Sequence, residues 1–244
     1  MSLVAQFSNQ LKQIPDSNSE SIFASVKALE AKIDKLEPLF VGYPEIEASF
    51  VRVWSCSQFI AENIEKKPDI LFDQSYLDSL RSSSHRETYS GTLEALSIND
   101  ETSLMLELRL FRRKEMMRIA WRDLAGWSEL EETLLDLTSL ADNCIAYALD
   151  YLYQQACASK GVPTLANGKP FNLVVLGMGK LGAYELNYSS DIDLIFAYAE
   201  QGELKDRQET SYYEFFSRLA RNLVKVLDAI TVDGFVFRTD VRLR

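Results

Sequence analysis

Two aspartates, Asp191 and Asp193, alternate with apolar residues in the segment DIDLIF (191–196). On a β-strand alternate side chains share a face, so both carboxylates would lie on one face and Ile192 and Leu194 on the other. With Cα atoms about 7 Å apart, the two charges would repel by about 2–4 kcal/mol at an effective dielectric constant of about 20. A divalent cation that prefers oxygen ligands, Mg²⁺ or Mn²⁺, would compensate this repulsion.

A glycine-containing turn and a third acid complete this pattern. The β-branched and apolar run at 172–176 predicts a buried strand that ends in glycines. The segment GFVFRTDVRLR (234–244) predicts a later strand that carries Asp240. Three carboxylates on adjacent strands would provide enough ligands for two metal ions, which suit the in-line transfer of a phosphoryl or nucleotidyl group.

The glycines allow a second interpretation. Gly177, Gly179 and Gly182 form a G-x-G-x-x-G pattern after a predicted strand. Glu200 follows these glycines at about the sequence separation expected for the acid that binds the ribose in a dinucleotide-binding domain. Only residues 183–188 separate the last glycine from the serines before the next strand, which is at most two helical turns. A crossover helix between parallel strands needs a longer segment. The spacing therefore disfavours an NAD-binding Rossmann domain, which stays as an alternative.

Composition narrows the class of protein. The chain has 244 residues, 47% of them hydrophobic, and a net charge of −10. This charge disfavours a nonspecific nucleic-acid binder, which needs a clustered positive surface. The sequence contains neither a basic-then-apolar leader nor an apolar run of membrane-spanning length, so we expect a soluble, cytoplasmic protein with no nucleic-acid or membrane partner.

Cysteine and histidine are scarce. Cys56, Cys144 and Cys157 lack C-x-x-C spacing and each falls in a helical pattern, which predicts buried, reduced thiols. The single histidine, His85, lies in the polar run RSSSHRE. Mechanisms that need a histidine base or a multi-histidine zinc site are therefore disfavoured.

The elements before the acidic strand are predicted to be helical. Apolar residues recur at helical intervals over 21–36, 46–64, 69–80 and 103–124, and again from a capping box at Ser128 and Glu131 to about residue 158. A linker with two glycines and two prolines follows at 159–170. We therefore predict an α+β protein, with an all-helical region at 1–160 and a small mixed-sheet module at 161–244 that includes a helix over 211–230.

The helix predicted over 103–124 is rich in basic residues that do not share one face. One interpretation is a solvated helix with i,i+4 ion pairs to residues such as Glu107; the other is that some of these cations reach phosphates or an acidic partner. For the arginines near the third acid, salt bridges and phosphate contacts are equally open. The residues concerned are Arg109, Arg112, Arg113, Lys114, Arg118 and Arg122 in the helix, and Arg238, Arg242 and Arg244 near Asp240.

Three segments resemble one family. GMGKLGAYELNYSSDIDLIF (177–196), FRRKEMMRIAWRDLAG (111–126) and FRTDVRLR (237–244) are similar to the bacterial glutamine synthetase adenylyltransferase/adenylyl-removing enzymes, within the polymerase β-like nucleotidyltransferase superfamily. The resemblance covers most of the chain from about residue 108. That family carries two catalytic domains, of which the amino-terminal one removes AMP and the carboxy-terminal one adds it. Asn187, Ser189 and Ser190 match the first copy, so the chain is expected to be an amino-terminal fragment whose catalytic core is truncated at its C-terminal end.

The resemblance also implies a reaction and a set of partners. Inorganic phosphate would attack the AMP group on a tyrosine of adenylylated glutamine synthetase and release ADP, supported by Mg²⁺ or Mn²⁺. Phosphate is already an anion and needs little help from a general base. Regulation of the full-length protein by PII signal proteins is implied as well. The implied metal-binding and catalytic residues are Asp191, Asp193 and Asp240, and the implied nucleotide- or phosphate-binding residues are Gly177, Gly179, Lys180, Ser189 and Ser190.

Other functions remain open on the sequence alone. The chain could be the adenylyl-adding domain of the same family, or another protein-modifying nucleotidyltransferase, for example one that transfers UMP to a regulatory protein. It could also be a noncatalytic sensor domain in which the acidic cluster is structural. The nucleotide and the acceptor distinguish the first two functions, and an unchanged activity after Asp191→Asn would indicate the third.

Overall fold

The computed structural model describes residues 42–82, 86–206 and 208–241, together with the separate positions 20, 22, 24, 27, 28 and 31. The chain forms two compact units. The first unit comprises Met1–Ser83 and Met116–Thr133, and the second comprises Ser84–Glu115 and Leu134–Arg244. Most of the helix predicted over 21–36 lies outside the described residues, as do His85, Arg242 and Arg244.

The first unit is built from short helices around aromatic residues. Its core includes Phe50, Trp54 and Trp121, and the Trp121 indole donates a hydrogen bond to the Ser49 hydroxyl at 3.0 Å. Trp121 belongs to a long helix whose second part lies in this unit. The elements are α1 (Pro44–Cys56), α2 (Gln58–Lys66), a 3₁₀ helix (Pro68–Phe72) and α3 (Gln74–Ser79).

Short polar side chains divide two segments that were each predicted as one helix. Ser57 is extended, and its hydroxyl accepts a hydrogen bond from the Ile60 amide at 3.2 Å, so α2 begins anew within 46–64. Asp73 caps α3 in the same way within 69–80, where it accepts from the amides of Ser75 and Tyr76. Such caps compete with helical backbone bonds.

The helices of the second unit confirm the longer sequence predictions. They are α4 (Arg86–Glu94), the first part of α5 (Glu101–Ala125), most of α6 (Leu130–Lys160), and α8 (Tyr212–Asp228). The predicted capping box of Ser128 and Glu131 is wrong. Helix α6 begins at Leu130, and the Ser128 hydroxyl forms a hydrogen bond with the Thr133 hydroxyl. None of the described helices has the length and apolar character needed to cross a membrane.

The helices at 84–115 and 134–160 belong to the same compact unit as the sheet. The domain boundary near residue 160 stays a prediction, because compactness alone does not define a domain that folds independently.

The arginines of α5 are not a solvated face. Arg109, Arg118 and Arg122 are each at most 6% exposed. Arg122 donates to the Leu80 carbonyl and forms a 2.7 Å ion pair with Glu132, and Arg118 donates to the Ser82 carbonyl. The solvated interpretation is therefore wrong for these three residues.

The sheet is mixed, as predicted. Strands β1 (Val174–Met178), β2 (Ile192–Ala197) and β3 (Thr239–Val241) lie in the order β1-β2-β3. β1 pairs with β2 in the antiparallel sense after the four-residue helix α7 (Gly179–Gly182), whereas β3 pairs with β2 in the parallel sense after the crossover through α8. The arrangement of strand, short helix, strand, helix and strand is confirmed.

The third strand is shorter at its start than predicted. Gly234 has a φ of +86° and closes a tight turn with Thr231. The amides of Val236 and Phe237 then both donate to the Leu227 carbonyl at the end of α8. These bonds occupy the backbone before it can join the sheet, so β3 begins at Thr239 rather than at Gly234.

The buried side of the sheet region carries α8. Ile192 and Leu194 are 0% and 1% exposed, as their alternation with the aspartates predicted. Phe216 of α8 stacks on Tyr198, which follows β2, with ring centroids 5.1 Å apart. The predicted inward residues of α8 are all buried: Phe215, Leu219, Leu223, Val226 and Leu227.

The cysteines differ in their environments. Cys144 is fully buried, Cys157 is partly buried, and Cys56 is exposed, so the prediction of burial is wrong for Cys56. All three thiols are free. Burial raises the pKa of the Cys144 thiol to about 12, and the thiolate is the reactive form of cysteine.

We expect iodoacetamide at pH 8 to modify Cys56 first and to spare Cys144, because Cys144 is enclosed and stays protonated far above this pH. Mass spectrometry of labelled peptides measures the order, and labelling in urea, which exposes all three thiols, serves as the control. Equal native labelling of Cys144 and Cys56 would contradict the packing described for α6.

Candidate active site

The structure places Asp193 and Asp240 side by side. They are register partners on the parallel strands β2 and β3, where neighbouring strands lie about 4.8 Å apart. Both side chains therefore share the sheet face opposite Ile192 and Leu194. Asp193 is half-buried and Asp240 is exposed. This pairing brings together two of the three predicted acids.

The third predicted acid, Asp191, has a different partner. It precedes β2, and its Oδ1 forms an ion pair with Arg238 Nε at 2.6 Å. Arg238 also donates to the Ser189 carbonyl at 2.9 Å. The structure thus shows a salt bridge for Arg238. Both side chains of the pair are 56% exposed, and a pair this open contributes about 0–1 kcal/mol, so the carboxylate can leave it at little cost.

Gly179 brings backbone against the acid at the centre of the site. Its φ is +54°, and a Cβ built on it would lie 2.8 Å from Asp193 Oδ2. The carboxylate of Asp193 therefore approaches the first residue of α7 more closely than a side chain there would permit. The conformation favours glycine, and a larger residue would push the Asp193 carboxylate out of its place.

The other two glycines serve the turn itself. A Cβ on Gly182 would collide with the Gly177 carbonyl oxygen, and a Cβ on Gly177 would lie 2.9 Å from the Leu181 side chain. The G-x-G-x-x-G pattern thus reflects a tight strand-to-helix turn. The antiparallel pairing of β1 with β2 overturns the Rossmann alternative, which requires parallel strands here. Glu200, which the Rossmann alternative would assign to ribose binding, accepts a hydrogen bond from the Ala166 amide.

A polar turn precedes the acidic strand. Asn187 Oδ1 accepts from the Ser190 hydroxyl at 2.6 Å and from the Ser189 amide at 3.3 Å. Just before this turn, the Leu186 amide donates to the Thr138 hydroxyl of α6 at 3.2 Å. Asn187 therefore organises the predicted phosphate-binding serines, a role its spacing two residues before Ser189 could have indicated. The binding roles of both serines stay predictions.

The face that carries the acids is open. Leu176 and Met178 of β1 and Ile195 of β2 are 37–47% exposed on it. Lys180, at the start of α7, is exposed as well, and its contact with phosphate stays a prediction. A ligand could therefore reach Asp193 and Asp240 directly from solvent.

The donor set fits a divalent cation without selecting one. Across 42–82, 86–206 and 208–241, no group of three or more His, Cys, Asp or Glu side chains lies close enough to hold a metal ion. Asp193 and Asp240 nevertheless present carboxylates from adjacent strands, and Asp191, two residues before Asp193, is held by an exposed ion pair. Oxygen ligands suit both Mg²⁺ and Mn²⁺.

Comparison with known proteins decides the family. The sequence profile described as glutamate-ammonia ligase adenylyltransferase matches residues 47–244. The chain belongs to this family. Its members are nucleotidyltransferases, in agreement with the resemblance found in the three sequence segments.

Relatives in the glutamate-ammonia ligase adenylyltransferase family are much longer than this chain. The chain is 48% identical over 196 residues to the bifunctional glutamine synthetase adenylyltransferase/adenylyl-removing enzyme of Nitrosococcus oceani, covering 79% of the chain and 20% of the relative. For the enzyme of the same name from Pseudomonas aeruginosa, the identity is 45% over 227 residues, covering 91% and 23%. The chain thus spans about a fifth of the length of these relatives.

We expect Gly179→Ala to lower the free energy of unfolding by about 1–3 kcal/mol, because it forces a side chain into a left-handed conformation and against Asp193. Urea denaturation measures this change. The control is Gly91→Ala in α4, where the added Cβ meets nothing within 4 Å and should stabilise the helix by about 0.5–1 kcal/mol. A Gly179→Ala protein as stable as wild type would contradict the geometry of this turn.

Proposed function

We propose that this chain removes the adenylyl group from adenylylated glutamine synthetase by phosphorolysis and releases ADP. The observation that carries the proposal is the register of Asp193 with Asp240, beside the backbone of Gly179. Membership of the nucleotidyltransferase family supports the reaction type. The segment ELNYSSDIDLIF (185–196), with Asn187, Ser189 and Ser190, supports the direction of removal.

The reaction is a displacement at phosphorus. An oxygen of HPO₄²⁻ attacks the phosphorus of the AMP group and forms the P–O–P linkage of ADP. The bond between phosphorus and the tyrosine oxygen breaks, and the proton carried by the phosphate ends on that phenolic oxygen. The attacking group is already an anion, so positioning and charge neutralisation are the protein's main tasks.

The acids and the glycine turn divide these tasks. Asp193 and Asp240 would hold Mg²⁺ or Mn²⁺, with Asp191 joining them; the cation, when bound, neutralises charge on the phosphates. The backbone at Gly177 and Gly179 would let a phosphate approach closely, and Gly179 is the one of the two that lies next to Asp193. Lys180, Ser189 and Ser190 would complete the phosphate contacts from the two ends of the 180–190 connection.

The partners follow from this reaction. They are adenylylated glutamine synthetase, an adenine nucleotide and phosphate, in the cytoplasm. Control by PII signal proteins belongs to the same proposal for the full-length protein.

We expect Mg²⁺ or Mn²⁺ together with ADP to stabilise the chain against thermal unfolding, by about 2.7 kcal/mol at a ligand concentration one hundred times its dissociation constant. The double variant Asp193→Asn/Asp240→Asn should lose this stabilisation, because it removes both paired carboxylates. Differential scanning fluorimetry measures the shift in melting temperature.

The control for this experiment is Asp150→Asn, an exposed aspartate of α6 that hydrogen-bonds Gln154 and should retain the full shift. A double variant that responds as strongly as wild type would contradict the assignment of the site. Stabilisation by UTP in place of adenine nucleotides would point to a different nucleotidyltransferase.

The direction of transfer has its own test. Glutamine synthetase carrying radiolabelled AMP is incubated with the chain, Mg²⁺ and phosphate, and thin-layer chromatography then detects labelled ADP. The proposal expects phosphate-dependent release of ADP. Incorporation of label from ATP into unmodified glutamine synthetase, without that release, would identify the adenylyl-adding activity instead.

A further inference from the structure

Three arginines of α5 lie against the loop that connects α8 to β3. Arg109 is 1% exposed, and its guanidinium donates three hydrogen bonds to carbonyl oxygens. Nε reaches Gly234 at 2.8 Å, Nη2 reaches Ala229, and Nη1 reaches Met105 of its own helix at 2.5 Å. One planar side chain thus holds both ends of the turn at 229–234.

Its two neighbours contact the same loop. Arg113 Nη2 donates to the Asp233 carbonyl at 2.5 Å. The guanidinium of Arg112 lies over the rings of Phe235 and Phe237, at 5.4 and 5.5 Å from their centroids. In the described structure, all three arginines contact groups within the chain: backbone carbonyls, aromatic rings and, for Arg113, also the Asp233 carboxylate at 3.4 Å.

The strand that follows this loop is only three residues long. Its described register pairs are Ile192 with Thr239, Asp193 with Asp240, and Leu194 with Val241. In a strand, a shift of one residue turns every side chain to the opposite face. Such a shift of β3 would remove Asp240 from the face that Asp193 occupies, so the acid pair requires a fixed register.

The loop before β3 can fix the register of the strand only if the loop itself has a fixed position. Within it, Gly234 and Thr231 close a turn, and Val236 is fully buried. The bonds from Arg109 attach that turn to α5. A guanidinium presents its donors in a rigid fork, which a lysine ammonium cannot reproduce.

We propose that Arg109 is a positioning residue for Asp240: by binding the carbonyls of Ala229 and Gly234, it fixes the register of β3 against β2. The importance of this register for catalysis rests on the proposed function, whereas the constraint on the strand does not.

The first test measures the strand directly. In the 244-residue chain, Arg109→Met and Arg109→Lys should each speed amide hydrogen exchange in the peptide covering 230–241 by about tenfold or more, since local opening is no longer opposed by the clamp. Peptides from α1 and α2 should keep their wild-type rates, which separates a local effect from global destabilisation.

The matched control is Arg221→Met. Arg221 donates to the Ser217 carbonyl of its own helix at 3.1 Å, as Arg109 does to Met105, but it is exposed. This variant should leave exchange in 230–241 unchanged. Wild-type exchange in the Arg109→Met protein, or equal acceleration across the whole chain, would overturn the proposal.

The second test links Arg109 to the acid. Isothermal titration of Mn²⁺ in the presence of ADP should show about fivefold or more weaker binding for Arg109→Lys, and no further weakening when Asp240→Asn is already present, because residues acting through one group are not additive. If Arg109→Lys weakened Mn²⁺ binding equally in the wild-type and Asp240→Asn backgrounds, the role of Arg109 would be merely structural, and the proposal would be overturned. If wild type binds neither Mn²⁺ nor ADP, the proposed function fails, and hydrogen exchange alone decides the role of Arg109.

Discussion

The central strand β2 has two different neighbours, and the rest of the second unit depends on this constraint. The chain reaches β2 from its antiparallel partner β1 through the four-residue helix α7. Its parallel partner β3 requires a long crossover, which α8 provides. These connections place Gly179, at the start of α7, beside the Asp193 side chain, and Asp193 beside Asp240 on the neighbouring strand. The candidate site is therefore a consequence of topology.

Local patterns in the sequence predicted the parts of this arrangement that depend on near neighbours. The alternation of Asp193 with Ile192 and Leu194 identified the buried face of β2, and the apolar stripe identified α8. The start of β3 was predicted too early because the amide of Val236 bonds the end of α8 rather than a strand. The break at Ser57 was missed because a helical stripe continues across a capped interruption.

Charged residues were the hardest to interpret from the sequence. The arginines of α5 bind carbonyl oxygens that lie far away along the chain, and backbone acceptors leave no mark in the sequence. Spacing grouped Asp191 with Asp193, whereas in the fold Asp191 pairs with Arg238. Spacing indicates which side chains share a face, whereas the tertiary structure decides which of them meet.

The most direct test of this account is the binding of Mn²⁺ in the presence of ADP, followed by electron paramagnetic resonance of the free ion. The wild-type chain should reduce the free-ion signal, and Asp193→Asn should not, because Asp193 lies between Gly179 and Asp240 at the centre of the site. An equal reduction by both proteins would contradict the claim that the sheet register builds a metal-dependent nucleotide site.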